Sequence, residues 1–190
     1  MKSLEELLTK YPELFPKEER EPHEPFSLFG FECDVGWYDI LDNAFAVICS
    51  RYRQAKKDVL FWRKNAANME ETVARRLSWD KNVTEEWIKN DTINNLYNSI
   101  KNEEKEEGKL PRFVQIKEKF GSLRMYFDGG NYELVSAVTD FAERMSEITC
   151  EVCGSKGKTY QTRWHKTLCK EHAIEHYGED HLNKLEESST

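Results

Sequence analysis

The stretch 150–173, CEVCGSKGKTYQTRWHKTLCKEHA, decides how the C-terminal part of this 190-residue chain folds. It carries Cys150, Cys153, Cys169 and His172 in the pattern C-x2-C-x15-C-x2-H. Two close-spaced ligand pairs separated by a hairpin-sized gap suit a structural zinc ion, which takes four soft or borderline ligands in a tetrahedron. Gly154 follows the first pair and relieves strain where the knuckle turns back. Residues 158–168 are long enough for a short hairpin, and Cys169 with His172 would open a helix running through His176 and Tyr177. Knuckle, hairpin and helix in that order describe a treble-clef-like zinc finger. With all four positions filled by protein, the Zn2+ is expected to be structural. His165, His176 and His181 are rival fourth ligands. His172 is preferred because an i,i+3 pair on the first helical turn shares one face.

Upstream of this element the chain alternates in period two. Phe113–Lys117 and Leu123–Phe127 read as a β-hairpin turning at Phe120–Gly121. Paired positions then sum to 241, so Val114 faces Phe127 and Ile116 faces Met125 on an apolar side. Gln115 faces Tyr126 and Lys117 faces Arg124 on the other. Asp128-Gly129-Gly130 ends the second strand. Asn131 can cap a helix through about Ile148, with the apolar stripe Leu134, Val138, Phe141, Ala142, Met145 and Ile148.

The N-terminal half is helical. Residues 2–15 suggest a short helix, and the proline-spaced, acidic stretch 16–25 suggests an extended linker. Trp37, Ile40, Leu41, Phe45, Ile48, Cys49 and Tyr52 predict a helix over 37–52. A second stripe from Val59 to Leu77 predicts helix over 58–78. Thr84 is a plausible N-cap for a third helix, with Val83 and Ile88 placed for a hydrophobic staple. The charge run 102–109 reads as a solvated helix end. The expected class is α+β: a mainly helical N-terminal part, a β-hairpin plus helix, and the C-terminal finger.

Net charge is −7. It is unevenly spread: residues 1–108 carry 16 basic against 22 acidic side chains, 109–172 carry 11 against 8, and 173–190 carry 1 against 5. The overall sign disfavours nonspecific nucleic-acid binding, while the local excess leaves an anion site open. Lys117 and Arg124, opposed across the hairpin, repel unless something negative lies between them. With Lys119, Tyr126, Arg163 and Lys166 they form a candidate anion, nucleotide or nucleic-acid site. The alternative is an internal acid, Glu143 or Asp39, folding over to pair with them. No nucleophile–base pair, phosphate-cradling loop or hydrolytic zinc motif is present, so no enzyme is expected. An HNH-type nuclease needs His and Asn residues at a spacing that His165 and His172 do not supply. No run of about 18 apolar residues exists, so no membrane span is expected. The acidic N-terminus lacks the apolar centre of a signal peptide, so residence in the cytosol is expected, where clustered cysteines are better read as metal ligands than as disulfides. Cys33 and Cys49 remain, Cys49 as a small buried residue on an apolar face.

Three blocks, FGFECDVGWYDIL (29–41), VQIKEKFGSLRMYF (114–127) and the stretch 150–173, together resemble a widespread group of small phage and prophage zinc-finger proteins of uncharacterised function. The resemblance covers about a third of the chain. It implies an accessory role in the bacterial host cytosol, acting by binding a host protein and inhibiting or redirecting it, a defence component among the candidates. Against the group's compact form, residues 56–110 look like a helical insertion. The resulting division is an N-terminal arm and linker (1–25), a helical α+β core with that insertion (26–148), a zinc-binding lobe (149–178) and an acidic tail (179–190). Trp62, Trp79 and Trp87 of the insertion are candidate contacts, though each is read first as core.

Overall fold

The structure, a computed structural model, describes residues 2–16, 30–161, 164–180 and 182. It is α+β, and the chain divides into two compact units: Met1–Ile48 with Pro111–Thr190, and Cys49–Leu110. The segment expected as a separate lobe, 149–178, belongs to the first unit, and the expected insertion, 56–110, lies in the second. Of the expected linker, all but Pro16 lies outside the described residues.

The first unit begins with α1 (Leu4–Lys10), capped by Ser3 and Glu6 in a reciprocal capping box, and a 3-10 turn (Pro12–Leu14). This arm is part of the core. Leu7, Tyr11, Leu14 and Phe15 are buried, and the Tyr11 ring meets Phe45 edge-on at 5.4 Å. Strand β1 (Phe31–Glu32) and a 3-10 turn (Val35–Trp37) lead into α2 (Tyr38–Ala67). The two expected helices at 37–52 and 58–78 are thus redrawn. α2 runs on through Ala67, and α3 (Met69–Trp79) follows after a one-residue break.

Strands β2 (Arg112–Lys119) and β3 (Ser122–Asp128) form the hairpin, and β1 pairs with β2 in parallel to give the order β1-β2-β3. The register is the expected one for Gln115–Tyr126, Ile116–Met125 and Lys117–Arg124. Near the open end it shifts by one, and Phe127 pairs with Phe113 instead of Val114. The reason is burial: Phe113 is fully enclosed and meets the Phe45 ring at 5.3 Å, so the larger ring takes the inward position and Val114 is left in a bulge. Helix α5 (Tyr132–Ser146) has Asn131 as its N-cap, accepting from Leu134 N–H. Ser146 Oγ accepts the buried Leu123 N–H at 2.8 Å, tying this helix to β3. Strands β4 (Lys158–Tyr160) and β5 (Lys166–Leu168) form a second hairpin, and α6 (Lys170–Tyr177) closes the unit.

The second unit holds the rest of α2, α3 and α4 (Glu85–Glu107). Thr84 caps α4 by accepting the Trp87 N–H, and α4 persists through the charge run to Gly108. Arg76 joins α3 to α4 by pairing with Asp91 at 2.6 Å and stacking on Trp87 at 5.2 Å. Trp79 and Trp87 are exposed and Trp62 is half-buried, so none of the three is a core anchor.

Candidate metal centre and its surroundings

The knuckle is shaped by backbone hydrogen bonds. Cys150 N–H donates to the Ser155 carbonyl (2.7 Å) and Gly154 N–H to the Cys150 carbonyl (2.9 Å), with Gly154 at φ +77°. This ring turns the side chains of Cys150 and Cys153 to one side. Cys169 is the N-cap of α6 and His172 lies on its first turn. The four donor atoms all lie within 4.8 Å of one another. Cys153 Sγ and Cys169 Sγ are 3.9 Å apart, and His172 Nδ1 is 3.4 Å from Cys150 Sγ and 3.1 Å from Cys169 Sγ. Zinc–ligand bond lengths imply tetrahedral edges of about 3.8 Å between sulfurs and about 3.6 Å from sulfur to nitrogen. The sulfur–sulfur edge meets that figure and the sulfur–nitrogen edges are tighter by a fraction of an ångström. The cluster can therefore hold a metal ion, through His172 Nδ1. Among the described residues, neither His165 nor His176 joins it, and His181 lies outside them.

The two knuckle thiols differ. A hydrogen bond with Ser155 holds Cys153 down to about 6, whereas burial pushes Cys150 up. Elsewhere, burial pushes the Cys33 thiol up to about 12, reinforced by the charges of Glu151 and Asp34, and Cys49 is fully buried. Both are unreactive small residues.

The cluster is fastened to the rest of its unit from two sides. From the first, Gly36 N–H donates to the Glu151 carbonyl (2.8 Å) and the buried Trp37 indole N–H donates to the Thr149 carbonyl (2.7 Å). Gly36 packs so closely that an added Cβ would lie 2.3 Å from the Cys150 carbonyl oxygen. From the second, Thr167 Oγ donates to the Gly121 carbonyl at the tip of β2–β3 (2.5 Å), and a Cβ on Gly121 would meet Thr159 at 2.7 Å. The three blocks quoted above, far apart in sequence, thus meet around the knuckle. Glu151, only 2% exposed, is the residue that sequence reasoning missed. It pairs with Lys166 at 2.8 Å, and burial pushes its carboxyl up against the pull of that ammonium. Its one sequence signal was an acid placed inside a knuckle.

The candidate anion-site residues are placed as follows. Arg124 is ion-paired with Glu143 of α5, and Lys166 with Glu151. Of the two acids considered for internal pairing, Glu143 serves Arg124, whereas Asp39 pairs with Lys2 at 2.6 Å. Lys117 Nζ lies 5.4 Å over the Tyr126 ring and Lys119 Nζ 5.5 Å over the Phe120 ring. Arg163 lies outside the described residues. Arg124 and Lys166 therefore already face carboxylates, leaving Lys117 and Lys119 as the cations directed at rings.

The unit also has a groove of about 520 Å³ between α2 and α5, lined by Ile40, Ala44, Val47, Val138, Phe141 and Met145. Phe141, expected on the buried stripe of α5, is 65% exposed here. Among the described residues, no helix is long and apolar enough to cross a membrane. Comparison with models of protein families, with curated proteins and with solved structures returned no match.

Proposed function

We propose that this chain is a non-catalytic phage accessory protein, stabilised by one structural Zn2+, that acts in the host bacterial cytosol by binding a host protein and blocking or redirecting it. The phage origin is supported by the three sequence blocks, and zinc by the donor set, since three thiolates and an imidazole suit its softness and its four-coordinate closed sites. Knuckle, hairpin and α6 follow the order of a treble-clef finger.

The observation that carries the binding reading is the α2–α5 groove. Apolar side chains at Val47 and Phe141 stay in water although Ala44 and Ala142 beside them are buried. An exposed apolar concavity of this kind is where a protein segment gains area without leaving polar groups unpaired. The occupant is a protein segment with apolar side chains, such as one face of a helix.

The test is a pull-down from nuclease-treated host lysate with the wild type, Val47→Glu and Phe141→Glu. Enrichment of a host protein that both variants lose, with zinc content and melting midpoint retained, supports the reading. Capture of the same proteins by all three chains refutes the groove as the contact. Elemental analysis showing no stoichiometric zinc refutes the metal.

A further inference from the structure

The tip of β2–β3 meets the flank of the second hairpin, Gly121 lying against the Thr159–Thr167 strand pair. β2–β3 turns through Phe120 and Gly121, with φ of +56° and +79°, the signature of a type I′ turn. Such turns favour Asn-Gly, because an L-residue with a bulky side chain is strained in the left-handed region. Gly121 is accounted for by its close packing on Thr159, its carbonyl bond from Thr167 and its N–H bond to Glu118 Oε1 at 2.7 Å. Phe120 has no such explanation. It is 68% exposed, and its ring meets the His165 ring edge-on with centroids 6.2 Å apart. A strained residue whose side chain gains no burial points to a use outside the fold.

Its neighbours have a consistent character. Trp164, next to His165 in the β4–β5 connection, is 76% exposed. Lys119 lies over the Phe120 ring and Lys117 over Tyr126, and among the described residues neither lysine has a carboxylate in ion-pair range. The nearest acid in sequence, Glu118, is occupied by the Gly121 N–H. The tip of β2–β3 therefore presents aromatic rings with lysines over them, and the exposed Trp164 adjoins in sequence His165, which meets Phe120.

We infer that the β2–β3 tip together with Trp164 and His165 is a stacking site for the bases of single-stranded nucleic acid, with Phe120 and Trp164 as platforms and Lys117 and Lys119 contacting phosphates. Every base has a π face, so stacking combined with lysine contacts binds single strands with little sequence preference. A protein partner is disfavoured because lysine is depleted from the cores of protein interfaces. Duplex is disfavoured because its bases already stack on one another and the site offers no helix for a groove. The chain's net charge of −7 restricts binding to this local patch and makes it sensitive to salt.

The experiment is fluorescence anisotropy of labelled dT12 and rU12 with the full chain at low salt, alongside thermal melts. Phe120→Asn is the decisive variant, because asparagine tolerates the turn while removing the ring. It should weaken binding roughly five- to hundredfold. Its melting midpoint should hold or rise. Trp164→Ala should weaken binding to a similar extent, and Lys119→Gln should lower the slope of log affinity against log salt by about one. The inference is overturned if wild type binds neither oligonucleotide at low salt, if Phe120→Asn and Trp164→Ala both bind as wild type, or if a 12-base-pair duplex competes equally. A host protein captured by wild type and lost from Phe120→Asn, without oligonucleotide binding, would also overturn it. Because Phe141 lies elsewhere, Phe141→Glu should leave oligonucleotide binding intact even where it abolishes protein capture.

Discussion

Replacing Gly36 with alanine tests whether the metal knuckle and the core are one structure. Gly36 does not have a positive φ, so alanine there carries no backbone strain, and in an open site the change would be neutral or mildly stabilising. Its surroundings reverse that expectation. The new Cβ would lie 2.3 Å from the Cys150 carbonyl oxygen, 2.4 Å from the Glu151 carbonyl oxygen and 2.6 Å from its carbon. All three are backbone atoms, which cannot swing aside as a flexible side chain would. Reaching ordinary contact requires a shift of about 1 Å between the two backbones. That shift stretches the 2.8 Å bond from Gly36 N–H to Glu151 and the 2.7 Å bond from the Trp37 indole to Thr149. A buried donor left unpaired costs about 1–3 kcal/mol, and overpacking alone about 1–3 kcal/mol. With partial relaxation we expect a loss of about 3–5 kcal/mol, a large fraction of the stability of an ordinary domain. Urea denaturation followed by tryptophan fluorescence, in the presence of zinc, measures the loss. Competition with a chromophoric chelator should show weaker metal retention. Gly108→Ala is the control, since its Cβ would meet the Glu104 carbonyl at an unstrained 3.6 Å at the end of α4. It should stay within about 0.5 kcal/mol of wild type. A loss below about 1 kcal/mol for Gly36→Ala, with metal affinity unchanged, would refute the close packing of knuckle on core.

Removing the metal with a chelator should expose residues 149–177 to protease and change the near-ultraviolet spectrum, while far-ultraviolet ellipticity from the helices of Cys49–Leu110 persists; an unchanged digestion pattern would refute the structural role. Asp42 predicts an acid-dependent tether for the N-terminal arm. Its burial raises the carboxyl, but hydrogen bonds from Lys10, Lys2 and Tyr11 outweigh it and hold Asp42 below the usual carboxylate range. A depressed folded pKa contributes stability above the unfolded value of about 4, and that contribution is lost as pH falls below it. Asp42→Asn should therefore cost about 1–2 kcal/mol at pH 7, with the gap to wild type narrowing by pH 3. A gap independent of pH would refute the ionic account. Glu143→Gln, which deprives Arg124 of its acid, should cost about 1–3 kcal/mol, because the Arg124 nitrogen that meets Glu143 is buried although both side chains are partly exposed. A markedly larger loss would mean that the pair is more enclosed than its exposure indicates.

Local signals were the legible part of this fold. Thr84 and Asn131 each stand at a helix start, because capping chemistry acts within four residues and is written in order along the chain, and Cys169 stands at another through the spacing of the ligand pairs. Hairpin register was readable near the turn, where two residues set the pairing. It was unreadable at the open end, where Phe113 displaced Val114 for a reason located in α2, namely the Phe45 ring. The unbroken α2 was missed because its apolar stripe weakens at Arg53–Lys57, although that stretch contains no helix breaker and Ala55 is buried. Strand β1 was invisible, since two residues make no period and its partner lies more than eighty positions away. The arm looked peripheral because Tyr11 becomes core through Phe45 and Asp42, more than thirty positions away.

The same division applies to the site. Spacing alone brought the four donor residues into one cluster, since each pair is local and the second pair needs only the intervening hairpin to fold back. The anion-site residues were grouped by sign and hairpin position, and position could not show that Glu143 and Glu151 approach from other elements. Those two acids occupy Arg124 and Lys166 and leave Lys117 and Lys119 against exposed rings, so the unpaired positive charge moves toward the hairpin tip. There Gly121 is buried against the knuckle's own hairpin while Phe120 beside it is held out in water. The knuckle thereby does more than close a small lobe. By fixing β4–β5 against Gly121, it fixes the direction in which Phe120 points, so stripping the metal should loosen the tip as well as the lobe.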